Sequence, residues 1–323
     1  MKEEKTSNGQ WVPEESDSTD VRMIDIQTES GQFRVFTKKV GDSPSMKVLL
    51  LHGGPGGTHE FFKSFEEHLP AAGIEFYYYD QLGSHFSDQP SDTSLWTVER
   101  FVDEVDQVRT ALGMDSTNFY LYGQSWGGIL AAEYALAHQD ALKGLIISNM
   151  MMDIDEYTAY AHDVLGPAMP EGVFEEVLAI EAAEDYQNPR YMELLMEHHY
   201  TEHILRAPAE EWPKDVLEAF DHLNPEVYVY MQGHSEFGIT KGATLEGWTV
   251  KDRMKELEVP VLSIGATYDS MDPKAMEWLA EEVPNGRFLL CPEGSHLSQY
   301  DDPEHFFPGL VQFILDVDGG SFP

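Results

Sequence analysis

The sequence has very little cysteine and no long hydrophobic run. Its 323 residues include a single cysteine, Cys291, which excludes an intramolecular disulfide and a cysteine-rich zinc site. No apolar run approaches the roughly 18 residues of a membrane-spanning helix. Residues 1–11 contain no hydrophobic stretch typical of a signal peptide. We therefore expect a cytoplasmic protein that has no membrane as a partner.

Positive charge is also scarce. The chain carries 20 Lys and Arg against 58 Asp and Glu, a formal net charge of −38, and such a charge repels nucleic acids and anionic membranes. Two interpretations of the acidity remain open: a protein that works in high salt, where repulsion is screened, or simply an acidic soluble enzyme. An apolar content of 42% excludes disorder of the whole chain.

Short apolar runs alternate with helical patterns along most of the chain. This alternation predicts an α/β fold, in which a mostly parallel sheet is covered by helices on both faces. The predicted strands are Val21–Thr28, Phe33–Lys38, Lys47–His52, Ile74–Asp80, Asn118–Tyr122, Leu142–Ser148, Val259–Gly265 and Arg287–Cys291. The predicted helices are Glu60–Leu69, Thr97–Leu112, one that ends near His138, Lys274–Val283 and Pro303–Val317.

The alternation breaks near Met150 and resumes at Val259. The intervening stretch has helical periodicity and no clear buried strand, so we expect a helical insertion. The predicted organisation is a flexible acidic tail over 1–20, a core made of 21–149 and 249–323, and a helical cap over 150–248.

A nucleophile motif follows the fifth predicted strand. Residues 123–127 read Gly-Gln-Ser-Trp-Gly, which fits G-x-S-x-G between a strand and a helix. In this motif a sharp turn lifts the serine hydroxyl above the sheet edge. We predict Ser125 as the nucleophile of a hydrolase; the alternative is an ordinary tight turn.

A serine nucleophile needs a base and an acid, which follow it in that fold in the order Ser, acid, His. His296 lies on the loop after the last predicted strand, at the edge where catalytic groups of parallel sheets gather. Asp269 and Asp272 both follow the preceding strand, and Asp269 is favoured because it is nearer the strand end. Its predicted role is to orient the imidazole and to stabilise its charged form.

Two backbone N–H groups are predicted to bind the oxyanion. One belongs to Trp126, directly after the nucleophile, and the other to Gly54 in the turn His-Gly-Gly-Pro-Gly at 52–56. A phosphate-binding loop is the rival interpretation of this turn, but the spacing fits neither G-x-G-x-x-G nor a P-loop.

Three histidines lie close together in the insertion: His198, His199 and His203. They could suggest a metal site on a helix face, but they do not fit H-E-x-x-H. We expect a solvated helix face there, and no metal.

Four motifs together resemble the proline iminopeptidases, a family of serine peptidases. They are HGGPG at His52–Gly56, YYYDQLGSHFSDQP at Tyr77–Pro90, GQSWGG at Gly123–Gly128 and GSH at Gly294–His296. The resemblance covers about Val21 to Val317. It implies the α/β-hydrolase fold with a helical cap inserted after the sixth core strand, no cofactor, and release of an N-terminal residue, proline preferred, from short peptides, amides or arylamides.

The resemblance also implies a residue that binds the substrate's free α-amino group. Residues 233–237 read Gly-His-Ser-Glu-Phe, similar to the family's cap motif G-x-x-E-F, so Glu236 is expected to anchor the amine. Ser270 stands where well-studied members have a second glutamate, which removes one expected amine ligand. A broad-specificity esterase or amidase of the same fold is the alternative, and a non-catalytic receptor is a more distant one.

Overall fold

The computed structural model describes residues 4–5, 11–12 and 20–322. Most of the tail predicted over 1–20 therefore lies outside the described residues. Within it, strand β1 (Glu4–Lys5) pairs antiparallel with strand β2 (Trp11–Val12).

Eight strands form one sheet whose order is β10-β9-β8-β7-β5-β6-β4-β3. β3 pairs antiparallel with β4 and β4 pairs antiparallel with β6, whereas all other neighbours are parallel. The strands are β3 (Val21–Thr28), β4 (Gly31–Val40), β5 (Lys47–Leu51), β6 (Glu75–Asp80), β7 (Phe119–Gln124), β8 (Gly144–Ser148), β9 (Val261–Ala266) and β10 (Gly286–Cys291). The mostly parallel sheet of the predicted fold class is thus confirmed.

Helices fill the connections between these strands. The α-helices are α1 (Phe65–His68), α2 (Val98–Ala111), α3 (Trp126–His138), α4 (Ile154–Tyr160), α5 (Gly166–Ala168), α6 (Val173–Ala182), α7 (Pro189–Leu195), α8 (Lys214–Asp221), α9 (Pro225–Met231), α10 (Pro273–Glu282), α11 (Ser298–Asp301) and α12 (Pro303–Asp318). The π-helical segments are Ala161–Leu165 and Met196–Ile204. The 3₁₀ segments are His59–Phe62, Pro70–Ala72, Thr93–Leu95, Gln139–Ala141, Ala209–Glu211 and Lys251–Glu256.

The core lies on both faces of the sheet. The central strands β6, β7, β8 and β9 are buried along their whole length. Strands buried on both faces favour apolar residues at every position, which explains why these strands appear in the sequence as short, mostly apolar runs. Helices α2, α3 and α10 pack with one apolar cluster, and α1 and α12 pack with the other. The helical stretch predicted over Glu60–Leu69 consists of the 3₁₀ turn His59–Phe62 and the separate helix α1.

The segment between β8 and β9, the sixth and seventh strands of this sheet, contains helices α4 to α9. We call it the cap; its boundaries at 150 and 248 stay a prediction. Two of its segments contact the carboxyl edge of the sheet. The Asn224 N–H donates to Gly56 O (2.9 Å), and the carbonyl of His203 accepts from the N–H of His296 (3.0 Å). No helix in the described part of the chain is long and apolar enough to cross a membrane, and the cytoplasmic location stays a prediction.

Candidate active site

Ser125 lies at a sharp turn between β7 and α3. Its φ of 57° and ψ of −128° lie outside the ordinary regions for a residue with a side chain. The turn is tight because Gly123 and Gly127 touch backbone: a Cβ on Gly123 would lie 2.0 Å from Gly127 O, and one on Gly127 would lie 2.1 Å from Leu51 O. Only glycine fits at these two positions, which is the physical basis of the G-x-S-x-G spacing.

Asp269 and His296 form a direct pair. The Asp269 carboxylate, 1% exposed, has Oδ1 2.8 Å from His296 Nδ1. This contact assigns the proton to Nδ1 and leaves Nε2 as the basic nitrogen. The competing Asp272 instead accepts from the Lys274 N–H (2.9 Å) at the start of α10. The hydroxyl of Ser270 lies 3.4 Å from Asp269 Oδ1 and 3.3 Å from His296 Nδ1.

Asn149 lies beside the pair of Asp269 and His296 and was not predicted from the sequence. It directly follows β8, is fully buried, and its Nδ2 donates to Asp269 Oδ2 (2.7 Å) and to Ser295 O (3.3 Å). The signal available in the sequence was its position, since polar residues just after buried parallel strands gather at the edge that carries the chemistry.

The glycine turn at 52–56 is held against the elbow by Gln81. The Gln81 N–H donates to His52 Nε2 (3.1 Å), and Gln81 Oε1 accepts from Trp126 Nε1 (2.8 Å). Burial lowers the pKa of His52, which keeps its Nε2 neutral and able to accept. Gly54 has a φ of +112°, and a Cβ there would lie 2.6 Å from the nitrogen of Gly57. The HGGPG and Asp-Gln motifs therefore occur together because they are parts of one hydrogen-bonded unit.

A cavity of about 450 Å³ lies between the cap and the sheet edge. Its lining includes five of the six predicted site residues: Gly54, Ser125, Trp126, Glu236 and His296. The sixth, Asp269, lies behind His296. Trp126 is the first residue of α3, so its N–H has no acceptor within the helix. Among the described lining residues there is no Lys or Arg, and Glu236 is the only carboxylate.

Glu236 is surrounded by tyrosines of the cap. Tyr228 donates its hydroxyl to Glu236 Oε1 (2.9 Å), and Tyr157 donates to the Glu236 carbonyl (2.8 Å). Tyr200 is a second side-chain donor to the carboxylate. Burial raises the pKa of Glu236 despite these hydrogen bonds. The carboxylate is thus fixed in place with no cation among the described lining residues, and a positively charged ligand would fit it.

The expectation of a solvated helix face at the three cap histidines is wrong for His199. This side chain is 1% exposed and lines the cavity, because the π-helical segment Met196–Ile204 packs its apolar and aromatic side over the site. Within the described part of the chain, no three His, Cys, Asp or Glu side chains are grouped so that they could hold a metal ion.

A family comparison agrees with the fold. The family model described as alpha/beta hydrolase fold matches residues 47–303, so the chain belongs to the α/β hydrolases.

Two sequence relatives narrow this assignment. The proline iminopeptidase of Flavobacterium johnsoniae is 52% identical over 295 residues, which are 91% of this chain and 98% of the relative. That of Elizabethkingia meningoseptica is 53% identical and covers 93% of this chain and 100% of the relative. Within the α/β hydrolases, the chain therefore belongs to the proline iminopeptidase family, and the prediction of an aminopeptidase-type hydrolase is confirmed.

Two solved structures superpose on this chain over more than nine-tenths of its length. Proline iminopeptidase of Mycobacterium smegmatis superposes with a TM-score of 0.82 at 28% identity, over 93% of this chain and 99% of that one. The structure of VinJ superposes with a TM-score of 0.84 at 28% identity, over 92% of this chain and 99% of that one.

Proposed function

We propose that this protein is a serine exopeptidase that releases an N-terminal residue, proline preferred, from short peptides, amino-acid amides or arylamides. The observation that carries the proposal is the lining of the cavity. It combines a serine on a sharp elbow, a histidine paired with a buried aspartate, and a single carboxylate with no described cation beside it. A substrate with a free ammonium group next to its scissile carbonyl matches both ends of this site.

The proposed chemistry proceeds through an acyl-enzyme. Ser125 Oγ attacks the carbonyl carbon of the N-terminal residue while His296 Nε2 takes the hydroxyl proton. The carbonyl electron pair moves onto oxygen, where the N–H groups of Gly54 and Trp126 stabilise it. The tetrahedral intermediate then expels the leaving amine, which takes the proton from His296.

Hydrolysis of the acyl-enzyme repeats these steps with water. Water attacks the ester carbonyl and gives its proton to His296, which returns it to Ser125 as the free amino acid leaves. Asp269 keeps the Nδ1–H of His296 oriented throughout and stabilises the imidazolium that forms twice in each cycle.

Glu236 is the proposed anchor of the substrate ammonium. A charge-assisted contact in a cavity shielded from water is stronger than one at the surface, so it selects a free N-terminus over a blocked one. The ammonium would also compensate the burial of the Glu236 carboxylate, whose pKa is raised in its absence. Tyr228 and Tyr157 hold this residue at its side chain and at its backbone.

The test is kcat/KM on proline arylamide, alanine arylamide and N-acetyl-proline arylamide. The wild type should cleave the free-amine substrates and leave the acetylated one intact, and Glu236→Gln should lose about 100-fold on the free amines. The matched control is Glu226→Gln on helix α9, whose side chain is exposed, and it should change nothing. Equal cleavage of the acetylated substrate, with little effect of Glu236→Gln, would instead indicate a general esterase or amidase.

A further inference from the structure

The His199 side chain carries a buried ring nitrogen that has no described hydrogen-bond partner. It is 1% exposed, and its Nδ1 has no hydrogen-bond partner among the described residues. Its ring neighbours are Phe237 (centroids 4.8 Å apart), His203 (5.6 Å) and Tyr200 (5.9 Å). An unsatisfied buried polar group destabilises the folded state, so its presence among these rings calls for an explanation.

The position of the His199 ring in the cavity supplies an explanation. His199 lines the same cavity as Ser125, Glu236 and His296. Phe237, which the His199 ring contacts, directly follows Glu236 in the chain.

The charge state of the ring decides what it can bind. Burial lowers the pKa of His199 to about 3, so the imidazole is neutral at neutral pH. A neutral imidazole has one N–H and one lone pair. The lone pair can accept from an ammonium group without bringing a second negative charge into the cavity.

An N-terminal proline needs two acceptors. Its secondary ammonium has two N–H groups, and the Glu236 carboxylate, which already accepts from Tyr228 and Tyr200, provides a place for one of them. The Ser270 hydroxyl lies within reach of both Asp269 and His296 and is thereby engaged. Nδ1 of His199, a residue of the same lining, has no described hydrogen-bond partner and accepts a hydrogen bond when the ring proton is on Nε2.

We propose that the His199 imidazole accepts the second N–H of the substrate's ammonium group and so determines, together with Glu236, the selectivity for a free N-terminus. The inference rests on the proposed function, because it assigns a residue to the amine end of that site. It makes His199 a specificity-determining residue, and it gives the buried ring nitrogen a partner in the substrate.

The test compares two esters of the same shape. The 2-naphthyl ester of proline carries the ammonium, and the 2-naphthyl ester of cyclopentanecarboxylic acid has CH₂ in its place. The variants are His199→Phe, which keeps a ring without nitrogen, and His199→Asn, which keeps a hydrogen-bonding atom near Nδ1. The matched control is His198→Phe, since the neighbouring His198 is not part of the lining.

We expect kcat/KM of His199→Phe on the proline ester to fall about 10- to 100-fold, mainly through KM. The cyclopentane ester should change less than about 2-fold, and His199→Asn should recover part of the loss. The Tm of His199→Phe should equal or exceed that of the wild type, because an unsatisfied polar group has been removed. His198→Phe should behave as the wild type.

Other outcomes overturn the inference in recognisable ways. An equal loss on both esters would mean that His199 acts through His296 or through the packing of the cap, and no loss on either would exclude a role in binding. Failure of the proposed function is seen separately, in the wild type. If the unmodified enzyme does not prefer the proline ester to the cyclopentane ester, there is no amine site for His199 to complete.

Discussion

Asn149 Nδ2 donates a hydrogen bond of 2.7 Å to the Asp269 carboxylate oxygen that His296 does not use. Asn149 adopts a φ of +54°, in the left-handed region that asparagine tolerates better than most residues. Its Oδ1 accepts from Ser148 Oγ (2.6 Å), which fixes which way the amide points. One side chain on the loop after β8 thereby orients the acid of the pair and, through Ser295 O, also contacts the loop that carries His296.

Replacing Asn149 should therefore reduce catalysis more than binding. Asn149→Ala leaves one Asp269 oxygen unsatisfied in a buried position, and we expect kcat on proline arylamide to fall about 10- to 100-fold with KM little changed. Asn149→Asp should be worse, because it places a second carboxylate against Asp269. Steady-state kinetics together with thermal unfolding measure both effects.

The control for this change is Asn118→Ala. Asn118 is also a buried asparagine, but it lies at the opposite end of β7, and its side chain is hydrogen-bonded to the turn before that strand. It should lose stability without losing kcat. Equal losses of kcat in the two variants would contradict a positioning role for Asn149.

The parts of the fold that the sequence predicts are those encoded locally. The apolar runs of β5 and β7 were recognisable because strands buried on both faces need continuous apolar residues. Ser125 was recognisable because Gly123 and Gly127 are required by contacts within one turn. The motif therefore indicates the geometry of the turn at Ser125 directly.

The parts that escaped prediction depend on tertiary placement. Asn149 and Asp269 are 120 residues apart in the chain and meet only because β8 and β9 are neighbours. His199 is one of several cap histidines, and nothing in its spacing shows which of them faces the cavity. The stretch predicted as helical over Glu60–Leu69 is divided into a 3₁₀ turn and a separate α-helix, a division that local periodicity does not show.

A second prediction concerns the strained backbone of Ser125. Its φ of 57° and ψ of −128° favour glycine, and strain of this kind typically costs about 1–3 kcal/mol. Ser125→Gly should therefore unfold about 2 °C or more above Ser125→Ala, with both variants inactive. Differential scanning calorimetry measures the difference. The same pair of changes at Ser94, which lies in a 3₁₀ turn, should show the opposite order.

A third prediction uses the raised pKa of Glu236. Because burial raises its pKa above the ordinary 4.5, the folded state keeps this proton at pH values where the unfolded chain has lost it. The carboxylate thus imposes a penalty on folding that is absent below about pH 4.5, grows between that pH and the raised pKa, and is constant above it. Glu236→Gln should then be more thermostable than the wild type at pH 8, and the gap should close at pH 4.

The same measurement on Glu226→Gln serves as its control, since that exposed carboxylate should give no such gap. A wild type more stable than Glu236→Gln at pH 8 would mean that the tyrosine hydrogen bonds to Glu236 outweigh its burial. Activity toward free-amine substrates should fall in Glu236→Gln at every pH, so stability and activity change in opposite directions at this residue.

The last prediction concerns Arg206, which joins the two loops that carry Asp269 and His296. Its guanidinium lies 3.4 Å from the ring centroid of Tyr268, the residue before Asp269, and its Nη1 donates to Glu293 O (3.1 Å) on the histidine loop. Arg206→Ala should lower kcat about 5- to 20-fold with KM little changed, because the spacing of acid and base is no longer held from the cap. Arg206→Lys should recover little, since lysine lacks the planar group that stacks on the ring.

Arg287 offers a matched comparison for this change. Like Arg206 it lies against an aromatic ring, that of Phe322 (4.8 Å), and it pairs with Asp316 (2.7 Å), but it lies on β10 and not in the cap. Arg287→Ala should lower the Tm and leave kcat unchanged. If both alanine variants lower the Tm and neither lowers kcat, the cap arginine contributes only stability, and the alignment of Asp269 with His296 depends on Asn149 and the sheet edge alone.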